Sequence, residues 1–163
     1  MEYRQITYWG WKMINKFEIG ERIEKLCTDS GMSKIALARK AGVTDESMRC
    51  WSDGMMIPSA KCLVRLSFAF NVSVEYILCL TDEKGSGPDK CMVTDMRDIG
   101  NRITRLCNER KMKYSTVAHA IDTDYNSLYE YRCGCSLPGP ERLVRLSRVL
   151  GVTVDYLLGV KEC

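Results

Sequence analysis

Histidine is nearly missing from this chain. His119 is the one example in 163 residues. It has no serine, cysteine or aspartate patterned around it as a catalytic set requires. No glycine-rich phosphate loop or other catalytic signature occurs, so an enzyme is not expected. No apolar run approaches the roughly 18 residues that a membrane-crossing helix needs. The N-terminal stretch lacks a continuous apolar core followed by small residues, so export is not expected. No segment keeps up the alternation of apolar and polar residues that marks a strand. A large excess of either charge is also missing, with 24 Lys and Arg against 21 Asp and Glu. The net charge of +3 permits a nucleic-acid partner without demanding one.

Cysteine, by contrast, is plentiful. There are nine, an odd number, and several fall at apolar helix positions where a free thiol acts as a small hydrophobe. This usage implies a reducing cytoplasm and no disulfide framework. Cys133-Gly134-Cys135 is the one close pair, and a zinc site would want more ligands than these two thiols and His119 supply. No metal, cofactor or small-molecule ligand is expected.

The chain contains one segment twice. Residues 18–80 and 98–160 align without a gap at a constant offset of 80. Gly20, Arg22, Ile23, Leu26 and Cys27 recur as Gly100, Arg102, Ile103, Leu106 and Cys107. The block Leu63-Val64-Arg65-Leu66-Ser67 recurs whole at 143–147. A repeat this long, present in two copies, predicts two small domains of one fold rather than a solenoid. The first copy is charge-balanced and the second carries +2.

Each copy reads as five short helices, so the fold class is all-α. Ile19, Ile23 and Leu26 lie on one helix face, as do Ile99, Ile103 and Leu106. Ser33, Thr44 and Ser73 are natural N-caps, and Pro140 suits a first helical turn. Leu63, Leu66 and Phe70 line a fourth helix, and Tyr76, Ile77 and Leu80 a fifth. In copy two the fifth helix turns Tyr156 and Leu157 inward. Residues 81–97 form a linker with Gly85-Ser86-Gly87-Pro88 as its flexible centre. Fully extended, at about 3.3 Å per residue, it reaches at most roughly 55 Å. That exceeds one DNA turn of about 34 Å.

Residues 1–17 have no counterpart in copy two. Tyr8-Trp9-Gly10-Trp11 reads either as a packing arm or as a ribosome-binding site translated ahead of a true start at Met13. No function is placed in residues 1–12.

The stretch from Met32 to Trp51 carries the functional signal. A short helix, then Gly42-Val43-Thr44, then a second helix is the helix-turn-helix pattern. Ala38 must be small where the two helices cross, Gly42 supplies a positive φ, and Met48 plugs the core. Met32, Ser33, Leu37, Ala38, Gly42, Val43, Thr44, Met48, Trp51, Gly54 and Pro58 stand in the register of the phage repressor and Cro family (XRE-like). The segment Leu150-Gly151-Val152-Thr153-Val154-Asp155-Tyr156-Leu157 is similar to that family's tail. The resemblance covers 18–80 and 98–160. It implies two tandem five-helix, lambda-repressor-like domains that bind double-stranded DNA, each with its third helix in the major groove.

Carried over by position, the resemblance makes Lys34, Thr44, Ser47 and Arg49 the candidate DNA contacts of copy one. In copy two they are Lys113, Tyr114, Tyr125, Asn126, Ser127, Tyr129 and Arg132. Asp45 and Glu46 place carboxylates where copy one would meet phosphate, which repels them. Asn126 can pair bidentately with adenine, and Arg102, Arg105, Arg110, Lys111 and Lys113 form a basic run. Copy two is therefore the expected reader. It lacks the turn glycine, but Asp122 tolerates left-handed geometry. Trp51 and Tyr131 are expected in the core. The chain reads as a repressor-like transcriptional regulator acting as a homodimer or an internal pseudo-dimer. The alternative is an interaction or dimerisation module that kept the fold and lost the DNA contact.

Overall fold

A computed structural model describes residues 13–88 and 95–160, and the Tyr8–Trp11 motif lies outside them. The described residues form ten α-helices and no strand, an all-α architecture. The first half holds α1 (Lys16–Ser30), α2 (Lys34–Ala41), α3 (Asp45–Ser52), α4 (Ala60–Phe70) and α5 (Val74–Ile77). The second holds α6 (Met96–Glu109), α7 (Tyr114–Ala120), α8 (Tyr125–Cys133), α9 (Pro140–Val149) and α10 (Val154–Leu158). The helices of the two halves begin at equivalent positions, so the duplication in sequence is a duplication in structure.

Side-chain caps explain the starts. Ser33, Thr44, Ser59 and Ser73 each accept an amide hydrogen bond from the third residue of the helix they open. Asn15 does the same for α1, one residue nearer. The helix therefore starts two residues before the repeat does, and Ile14 is buried with the core. In the second half Asp95, Asp124 and Thr153 cap α6, α8 and α10. Pro140 occupies the first turn of α9, where its missing N–H costs no bond.

Within each half one stripe from every helix meets at the centre. Ile19, Ile23, Leu37, Met48, Leu63 and Leu66 are fully buried in the first, and Ile99, Ile103, Ile121, Leu128, Leu143 and Leu146 in the second. Trp51 and Tyr131 are buried, as their positions predict. In the fifth helices the inward set is broader than the periodicity indicated. Val74 and Leu78 are buried while Leu80 is half-exposed, and Tyr156 is half-exposed while Val154 and Leu158 are buried. The reason is that α5 and α10 pack on each other as well as on their own halves.

Glycine sets how α1 meets α3 and α6 meets α8. A methyl on Gly20 would lie 2.8 Å from the Gly54 nitrogen and 2.9 Å from the Trp51 carbonyl oxygen. A methyl on Gly100 would overlap the Arg132 carbonyl oxygen and lie 2.7 Å from that of Tyr131. Only glycine lets the first helix of each half rest directly on the end of the third.

The two halves meet through a reciprocal clasp. The Asp155 carboxylate accepts from the Val74 amide at 2.8 Å and the Glu75 amide at 3.0 Å. The Glu75 carboxylate accepts from the Val154 amide at 3.1 Å. Ser73 and Thr153 serve the third amide of each helix. Every one of these amides lacks a partner inside its own helix. Glu75 and Asp155 are equivalent residues of the repeat, as are Val74 and Val154. The contact thus maps onto itself when the halves are exchanged, which is the mark of a two-fold interface. Asp155 is 3% exposed, so these bonds form largely out of water.

The described part of the expected linker is held to the fold. Residues 81–88 lie against the first half. The Ser73 amide donates to the Lys84 carbonyl at 2.8 Å, and the Gly87 amide to Asn71 Oδ1 at 3.3 Å. A side chain on Gly87 would overlap the Ser67 carbonyl, and Pro88 is buried. The glycine that composition marks as a source of freedom here permits close contact.

Candidate nucleic-acid interface

α3 and α8 each stand on a helix pair joined by a tight turn, and the two halves make that turn differently. Gly42 takes φ 65° in the first. Asp122 takes φ 58° in the second, so the left-handed corner is kept without glycine. The same arginine of the repeat braces both corners. Arg65 donates to the Gly42 carbonyl at 3.0 Å, and Arg145 pairs with the Asp122 carboxylate at 3.4 Å. Sequence reading did not assign these arginines a role, although the shared Leu-Val-Arg-Leu-Ser block contains both.

Several candidate contacts are committed to the fold. Thr44 Oγ1 accepts the Ser47 amide at 3.1 Å and donates to Ser47 Oγ at 2.7 Å. Asp124 accepts both the amide and the hydroxyl of Ser127 at 2.8 Å. Those bonds, the backbone amide first, hold the Asp124 carboxyl below the usual carboxylate range. Thr44, Ser47 and Ser127 therefore spend hydrogen bonds on starting α3 and α8.

The decisive locus is where the second helix of each half meets the end of the third. In the first half Lys34 Nζ lies 2.6 Å from Glu24 Oε2 and donates to Ser52 Oγ at 3.1 Å. Glu24 accordingly holds the Lys34 ammonium above its ordinary range. In the second half the three equivalent positions are Tyr114, Thr104 and Arg132. The Arg132 guanidinium carbon stacks 3.4 Å from the Tyr114 ring centroid, and Nε donates to Thr104 Oγ1 at 3.3 Å. Tyr114 in turn donates its hydroxyl to Asn108 Oδ1 at 2.9 Å. Tyr114 thus serves as a platform for Arg132. The cation has moved from the second helix to the third, and its carboxylate partner has become a neutral hydroxyl.

The remaining candidates are open to solvent. Tyr125 is 53% and Tyr129 55% exposed, with Asn126 exposed between them on α8. Lys113 is exposed at the start of α7. Arg49 is exposed on α3, on the same short helix as the exposed Asp45 and Glu46. The basic run of α6 does not gather on the α8 face. Arg105 reaches the Tyr156 hydroxyl and pairs with Glu109 at 3.6 Å, and Arg102 packs over Gly159.

Among the described residues no three His, Cys, Asp or Glu side chains converge as metal ligands, and no helix is long and apolar enough to cross a membrane. No protein-family model matches the chain, and no curated protein or solved structure is significantly similar to it.

Proposed function

We propose that the chain is a sequence-specific DNA-binding transcriptional regulator built from two tandem helix-turn-helix domains of the lambda-repressor-like type. The second domain is the reader, and the first is held to it by the Asp155–Glu75 clasp. The observation that carries this reading is the redistributed charge. α8 offers Tyr125, Asn126 and Tyr129 to solvent beside an arginine whose positive charge is set against a ring and a hydroxyl. α3 offers Asp45 and Glu46, and Lys34 beside it is already neutralised by Glu24.

In this mechanism Lys113 and Arg132 meet phosphate and supply affinity, which falls as salt rises. Asn126 reads a base edge in the major groove, with adenine its best bidentate partner. Tyr125 and Tyr129 pack against sugar or a thymine methyl group. The test is a random-sequence DNA selection with the full chain, repeated for Asn126→Ala, Arg132→Ala and Asp45→Ala. An enriched motif, lost in the first two and kept or strengthened in the third, supports the proposal. No enrichment at any salt concentration overturns it.

A second reading applies to the first domain alone. Its acidic α3 favours a role in assembly over one in DNA contact, since the clasp already uses its α5 to join the other half. On that reading Arg49→Ala leaves DNA affinity unchanged.

A further inference from the structure

Cys133 closes α8, Gly134 follows in the left-handed conformation, and Cys135 begins the return of the chain. The Cys135 amide donates to the Glu130 carbonyl at 2.9 Å, and the Ser136 amide to the same oxygen at 3.4 Å. Gly134 is pressed onto the start of α6, where a methyl would stand 2.9 Å from Arg97 Cα. The turn is therefore backed by a helix at Gly134, and Cys133 and Cys135 are both exposed. Cys27 and Cys107, by contrast, are buried, and desolvation pushes their thiols up. The first half has Asp53 and Met55 at the positions of Cys133 and Cys135, so the pair belongs to one copy only.

We propose that Cys133 and Cys135 form a chelating dithiol site for a soft, thiophilic metal ion of two-coordinate habit, with Cu(I) as the probe. The ligand count selects the ion. Zinc wants four nitrogen or sulfur donors in a structural site, and calcium or magnesium wants oxygen. Two thiolates held one residue apart, with no third His, Cys, Asp or Glu converging among the described residues, suit a monovalent soft ion. On binding, two S–Cu bonds form, the two S–H protons pass to solvent, and no electron is transferred. The site stands whether or not the chain reads DNA.

Tyr129, one turn earlier on α8, gives a local reporter. Its ring is exposed and neighbours Cys133 and Cys135. Coordination of the thiolates changes the surroundings of that ring.

The full chain, kept reduced, is titrated with Cu(I) delivered as its bicinchoninate complex. The expected result is one ion withdrawn per monomeric chain. Cys133 and Cys135 become protected together from N-ethylmaleimide, and the Tyr129 signal shifts in spectra of chain labelled with ¹³C-tyrosine. Cys133→Ser and Cys135→Ser each weaken retention by about 10²- to 10⁴-fold, the loss expected when a chelate becomes a single donor. Both substitutions are at exposed positions, so circular dichroism stays unchanged, and Cys62→Ser retains the ion. Equal alkylation of both thiols with and without Cu(I) overturns the proposal. So does undiminished retention by the double serine variant, or an ion held between two chains.

Discussion

The two halves share a backbone and differ in where they keep one positive charge. In the first, Lys34 reaches from α2 to Glu24 and is spent within the fold. In the second, Arg132 rises from α8 itself, lies on the Tyr114 ring and donates to the hydroxyl of Thr104. Three exchanges at equivalent positions replace an ion pair with a half-buried cation set against a ring and a neutral hydroxyl. The three positions lie on the first, second and third helices of each half, and Tyr114 packs against the edge of the core. On the proposed reading, a duplicated fold divides its labour by moving one charge at one corner of each half.

The comparison can be broken most severely at the glycines where helices cross. Gly100→Ala drives a methyl into the Arg132 and Tyr131 carbonyls, and backbone cannot yield as a side-chain tip can. Thermal unfolding should show a loss of about 3 kcal/mol, at the upper end for overpacking. Gly20→Ala meets its neighbours at 2.8–2.9 Å and should cost less. Equal losses would mean that the two crossings are not as different as these distances indicate.

Next in size is DNA affinity. Asn126→Ala should weaken binding to a selected site by about 10- to 100-fold, the worth of a lost bidentate base contact. Arg132→Ala should lower the salt slope by about 1, as for one lost phosphate contact. Glu24→Gln, which frees Lys34, should sharpen the contrast from the other side by raising non-specific binding at low salt. Unfolding should change by under about 1 kcal/mol, since both members of that pair are partly exposed.

The clasp should be unequal although its partners are equivalent. Asp155→Ala leaves two amides of α5 without their acceptor and should cost about 1–3 kcal/mol. Glu75→Ala removes a single bond and should cost about 1 kcal/mol. Urea unfolding of the full chain reads both, and a transition that splits into two steps would report that the halves have parted.

The smallest difference is in pH response. Asp124 has its carboxyl depressed by the bonds it accepts from Ser127. A depressed carboxylate contributes stability above its unfolded pKa and loses it as pH falls through the folded value. Below the ordinary aspartate range the Ser127 amide should exchange faster with solvent. The Ser47 amide, capped by the untitratable Thr44, should not. Identical acid profiles for the two amides would remove this distinction.

Much of the fold was legible in the chain before any coordinates. Helix stripes, caps at Ser33, Thr44 and Ser73, and the gap-free repeat all act locally, so periodicity and residue type carry them. The clasp was not legible. Glu75 and Asp155 each look like carboxylates placed to complement a helix dipole, and nothing local says that each serves the other's helix, about 80 residues away. Gly87 misled for a similar reason, because glycine permits both freedom and close approach, and only the neighbour at Ser67 decides between them. At the candidate interface, exposure of Tyr125, Asn126 and Tyr129 followed from their register. The Tyr114 platform did not, since a cation over a ring needs two elements brought together in space.

The reciprocal bonds between Val74, Glu75, Val154 and Asp155 also remove an ordinary dependence on dose. Two separate subunits joined by such a contact fall apart on dilution, and the fraction of one that is paired rises with the concentration of the other. Here the partners share a backbone, so the local concentration of one around the other is fixed by the connection and not by the solution. A single molecule in a cell would carry the assembled pair as completely as a thousand would.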